Sequence, residues 1–159
     1  MNSIIKDYYP VFKLYLELRE QLMAILNDDN VSFRIEGDNP TLGELCREIG
    51  EVEYAYIQSF KTFEQDFSYR NEEPGLGSSV EKLSTWFKEL DDELDRTIQA
   101  LSEEDIQTRT INRGGDFILP IQIQLEIYKE ALLIFYGKVS VYLKALRLER
   151  PGRWQEWIG

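Results

Sequence analysis

The chain has 159 residues, 29 acidic and 18 basic, for a formal net charge of −11. That charge repels nucleic-acid phosphates and anionic membranes at long range, which argues against binding to either. There is no histidine, and the single cysteine, Cys46, has no partner for an internal disulfide. The length suits one domain, residues 1–159, able to bury a continuous core without staples. "MNSIIKDYYP" lacks the basic, apolar and small-residue succession of a signal peptide. Lys129, Lys138 and Lys144 interrupt the longest apolar region before it reaches the ~18 residues of a membrane span. The expectation is a soluble cytoplasmic protein.

Apolar residues recur at Ile4, Tyr8, Val11, Tyr15, Leu18, Leu22 and Ile25, a three-and-four spacing that predicts a first helix. Pro10 lies inside this pattern, so the helix either starts near it or bends there. The segment "NDDNVSFRIEGDNP" is rich in turn formers. Thr41 followed by Glu44 then has the spacing of a capping box and opens a second helix. Its stripe is Leu42, Leu45, Ile49, Val52, Tyr56, Phe60 and Phe63, and it stops at "DFSYRNEEPGLGSSV". Adjacent antiparallel helices need only about 2–8 connecting residues, so this longer link predicts a crossover of the bundle.

Ser79 is a weaker cap, but Val80, Leu83, Phe87, Leu90, Leu94, Ile98 and Leu101 make a clean third stripe. Thr108, Thr110 and Phe117 to Leu119 flank Asn112-Arg113-Gly114-Gly115 as a short β-hairpin would. Pro120 suits the first turn of a fourth helix, whose stripe is Ile121, Leu125, Tyr128, Leu132, Phe135, Val139, Tyr142 and Leu146. That helix should stop before Pro151-Gly152, leaving Trp154 and Trp157 to cover the bundle as one turn. The class is therefore all-α, a four-helix bundle with a crossover between helices two and three and a hairpin before helix four.

Three stretches, "NPTLGELCREIGEVEYAYI", "INRGGDFILP" and "YGKVSVYLKALRLERPG", resemble the second helix, the hairpin and the end of the last helix of the DinB/YfiT-like family of bacterial four-helix proteins. The resemblance covers nearly the whole chain. It implies an up-down-down-up bundle, frequent dimerisation, and in many members a divalent metal held by three histidines. Some such proteins are thiol-dependent transferases or isomerases. The family's helix-four histidines correspond here to Ala131 and Phe135, and the helix-two histidine to Glu48. Neither Ala131 nor Phe135 can bind a metal, and one carboxylate does not supply the several donors that zinc or nickel requires. The resemblance thus implies a degenerate trihistidine site with no cofactor, and a homodimeric binding or interaction module.

This departure accounts for part of the apolar run Ala131-Leu132-Leu133-Ile134-Phe135-Tyr136. Leu133, Ile134 and Tyr136 point away from the 132/135 seam and need a second explanation. A homodimer through helix four would bury them, and so would coverage by the hairpin and the Trp154/Trp157 tail. Glu48 shares a heptad seam with Leu45 and Val52 and is expected to project inward. With Glu44, Glu126 and Glu130 it could form a carboxylate-centred site for a divalent metal, the basis of an alternative transferase or hydrolase reading. Cys46, beside the helix-two stripe with no histidine to activate it, reads as packing. The acidic run "ELDDELD" reads as a solvated face. Tyr8, Tyr9, Tyr15, Tyr54, Tyr56, Tyr128, Trp86 and Phe135 could line a pocket for a small apolar ligand, although core packing explains them equally.

Overall fold

The computed structural model describes residues 1–159 and resolves the ambiguity at Pro10. A π-helical turn, Ile4–Tyr8, precedes α1, Tyr9–Ile25, and Pro10 lies in the first turn of α1, where its missing N–H is not needed. The π turn also changes the helical phase. Ile4, Leu18 and Leu22 are buried as the periodicity predicts, but Tyr9, Phe12, Leu16, Arg19 and Met23 complete the buried face, while Tyr8 and Tyr15 lie at its edge and Val11 is exposed.

The turn-rich segment that follows contains a short helix, α2, Asp28–Val31, capped by Asn27. The second long helix, α3, spans Leu42–Thr62. Its capping box is complete: the Glu44 N–H donates to Thr41 Oγ1 at 3.0 Å, and the Thr41 N–H donates to Glu44 Oε2 at 2.6 Å. Phe63, predicted as the last residue of that stripe, is instead the cap, with φ of 62°. After the crossover, α4 spans Val80–Ala100, its start capped by Ser79.

Between the third and fourth long helices the sequence reading needs one correction. Thr108 does not belong to the hairpin; it ends a short helix, α5, Glu103–Thr108, which Ser102 and Asp105 cap reciprocally. The hairpin pairs β1, Thr110–Asn112, with β2, Ile118–Pro120, in the register Ile111 opposite Leu119. The longest helix, α6, runs Ile121–Ala145, and Trp154–Trp157 form a single turn, α7.

In cross-section α3 packs against both α4 and α6, and α1 packs against the same two, so α1 and α3 occupy diagonal corners of the bundle. The architecture is the all-α, up-down-down-up bundle with a hairpin before its last helix. Tyr136 corrects the view of an outward-facing residue: it is fully buried, donates to the Tyr15 carbonyl at 2.5 Å, and packs edge-on against Trp154. Trp154 in turn donates to the Leu18 carbonyl at 2.7 Å, so the tail covers this part of α6. Ile134 and Val141 stay 61% and 55% exposed. No helix is long and apolar enough to cross a membrane.

The α3/α4 contact is close because Gly50 has no side chain. A Cβ there would stand 2.4 Å from the Trp86 ring. Gly50→Ala should therefore destabilise the protein by about 1–3 kcal/mol through overpacking, measured by denaturant unfolding.

Candidate functional site

The capping box fixes the start of α3, and the apolar side chains Leu45, Ile49 and Val52 pack toward α6. There Glu48, Ala131 and Phe135 meet on one cleft of about 160 Å³, walled by Leu45, Ile49, Val52, Ile134 and Lys138. The structure thus brings together the three positions singled out from the sequence. Their chemistry does not suit a metal. The Phe135 ring is buried against Tyr136, and Ala131 has no donor atom. Glu48 does not project inward as expected; it is exposed at the mouth of the cleft, because the larger apolar residues on either side take the interior. No three His, Cys, Asp or Glu side chains gather where they could hold an ion. The residues present do not fit the family-type metal.

The carboxylate-centred alternative fails on placement. Glu44 is committed to the capping box and lies 3.5 Å from Arg34, and the backbone N–H of Thr41 holds its carboxyl below the usual range. Glu126 pairs with Lys129 one turn along α6, and Glu130 is exposed. Only Glu44 and Glu48 share a groove, one of about 580 Å³ that adjoins the cleft at Glu48 and Val52. In that groove Arg47 and Arg70 flank Glu51, which also accepts from the Asn71 N–H at 3.0 Å. Cys46 is fully buried, and burial pushes its thiol up to about 12, so it offers no thiolate near neutral pH. Of the eight aromatics that could have lined a ligand pocket, Phe135 alone lines the cleft. Tyr56 stacks on Tyr128 within the core, and Tyr54 stacks on Tyr69.

No family model matches the chain. A DinB-like protein from Bacillus cereus superposes with a TM-score of 0.78 at 18% identity, over 96% of this chain and 99% of that one. A DinB-like protein from Bacillus subtilis gives 0.66 at 16% identity, over 95% and 96%. The chain has a DinB-like fold. Among curated proteins, an 80-residue segment is 31% identical to part of tripeptidyl-peptidase 1 of Dictyostelium discoideum, covering 47% of this chain but only 13% of that protein. The match therefore concerns a small part of a much longer chain.

The centre of this DinB-like bundle holds polar groups that the sequence reading missed. Arg19 of α1, about 1% exposed, reaches across the diagonal to Glu53 of α3, which is fully buried. Its Nη2 lies 2.6 Å from Glu53 Oε2 and 2.7 Å from Asp91 Oδ1 of α4. The guanidinium stacks 4.0 Å over the Phe87 ring. Nε and Nη1 of Arg19, the hydroxyls of Tyr9 and Tyr128, and Thr97 Oγ1 are buried without a protein partner. One signal was available: Arg19 lies between Leu18 and Leu22, and Glu53 stands four residues after Ile49 and three before Tyr56, so both fall on apolar stripes.

Two carboxyl groups share one guanidinium nitrogen, so neutrality inside the bundle requires one of them to keep a proton. Asp91 borders solvent, whereas burial drives the Glu53 carboxyl up to about 8 against the pull of Arg19, and the neighbouring Asp91 adds to the rise. A folded value above the unfolded ~4.3 gives stability that is complete below that pH and lost as pH rises through the folded value. Wild-type stability should therefore fall relative to Glu53→Gln between about pH 4.3 and pH 8, as read from paired denaturation curves.

Proposed function

We propose that this chain is a homodimeric binding or interaction module that works without the trihistidine-type metal. One observation carries this reading. Helix α6 leaves Ile123, Leu133, Ile134 and Val141 exposed away from its buried face, and at the α3/α6 gap the positions matching the family ligands offer hydrocarbon, an aromatic ring and one exposed carboxylate. Contiguous exposed apolar side chains on a protomer commonly mark an interaction surface, so the outer face is read as covered by a second copy. The cleft of about 160 Å³ is smaller than the ~300–1,000 Å³ of most small-molecule sites. It suits a ring-sized apolar group, the scale at which a dry cavity of ~150 Å³ takes benzene.

Two measurements test the two halves of this reading. Elemental analysis of untagged protein should return no stoichiometric zinc, nickel or iron; a stoichiometric ion would overturn the metal-free reading. Sedimentation at micromolar concentration should show twice the monomer mass, and Ile134→Glu should give a monomer with unchanged helical content. A wild-type monomer would remove the dimer.

A further inference from the structure

The outer face of α6 has a register as well as an apolar character. Opposite the buried line of Leu125, Tyr128, Leu132 and Val139 run Ile123, Ile127, Glu130, Ile134, Gly137 and Val141, spaced four, three, four, three and four. This is the spacing of a helix-to-helix seam. Gly137 weakens a helix relative to alanine, and nothing in the protomer lies within 4 Å of where its Cβ would stand, so no internal contact requires it. Glu130 and Lys138 are both exposed, and neither belongs to an ion pair within the protomer.

These features fit one arrangement. If two such helices lie antiparallel with Ile134 against Ile134, each position before it meets the position equally far after it on the other helix. Glu130 then faces Lys138, Ala131 faces Gly137, and Ile127 faces Val141. Opposite charges meet, the two smallest residues let the backbones approach, and the apolar groups pair. A parallel arrangement sets Glu130 against Glu130. The α6 segment carries three lysines and two glutamates, so the repulsion expected between chains of net charge −11 is locally weak.

Resting on the homodimer reading above, we propose that two copies pack α6 against α6 antiparallel about a two-fold axis at Ile134, locked by reciprocal Glu130–Lys138 pairs. The axis places both α3/α6 clefts on the same side of the helix pair. Ile134 lines the cleft as well as the seam, and Lys138, beside the seam, lines the cleft, so the second copy completes the wall that each protomer leaves open.

Reversing charges tests the register. Glu130→Lys and Lys138→Glu should each weaken dimerisation about tenfold or more in sedimentation equilibrium, because the symmetry sets like charges opposite each other twice. The double variant Glu130→Lys/Lys138→Glu should recover wild-type association. Single variants that leave the dimer intact, or a double variant as weak as the singles, would overturn the register while leaving the dimer in place. A wild-type monomer would overturn both readings.

Discussion

The contact on which the interior of this bundle depends is Arg19 reaching two carboxyl groups from the middle of the apolar face of α1. Its guanidinium joins α1 to α3 through Glu53 and to α4 through Asp91, while Tyr128 and Tyr136 approach from α6. All four long helices thus meet around one charged group. Removing one member of a buried ion pair typically costs about 3–5 kcal/mol, because the other is left without compensation. Hydrophobic stripes alone tolerate small rotations and slides between helices. A guanidinium that must satisfy partners at 2.6 and 2.7 Å does not, and it fixes the relative phase of α1, α3 and α4. The interior around it is crowded with unpartnered hydroxyls, and burial drives the Tyr9 and Tyr128 hydroxyls well above their ordinary range, so they stay neutral donors beside the ion pair.

That arrangement also explains which parts of the fold could be read from the chain. Several elements fixed by local chemistry were legible in the sequence: the Thr41/Glu44 box, the Ser79 cap, the Gly114-Gly115 turn and the tryptophan turn all stand where their spacing predicts. The phase of α1 was not legible, because the π turn over Ile4–Tyr8 and the placement of Arg19 in the interior are decided by tertiary contacts that periodicity does not contain. Thr108 was misread although the signal that places it is local. The reciprocal Ser102/Asp105 cap opens α5, which runs to Thr108 and ends two residues before β1, and a threonine suits either a helix end or a strand.

The candidate site divides along the same line. The three positions that the family resemblance singled out, Glu48, Ala131 and Phe135, line one cleft. Sequence spacing did not give the direction of Glu48, because a heptad seam fixes a helix face only to within a residue and the bulk of Leu45, Ile49 and Val52 decides which of the neighbours turns outward. Conversely, Glu53 was passed over although it sits on the stripe, since a glutamate among apolar residues is ordinarily solvated and only a partner on another helix makes its burial tolerable.

The ionic centre and the cleft singled out by the family positions lie apart in the bundle. The ionic centre lies among α1, α3 and α4, and the α3/α6 gap is left to hydrocarbon. This separation bears on what the gap can do. A ligand entering beside Ala131 and Phe135 meets no buried charge to desolvate, only the exposed Glu48 carboxylate and Lys138 ammonium, so its affinity must come chiefly from apolar area, and the gap is small. Such a site gains most from being enclosed, because shielding the same apolar atoms from water on a further side adds favourable burial without adding a polar group to satisfy. Ile134, 61% exposed and part of the cleft wall, is where a further apolar surface would add that enclosure.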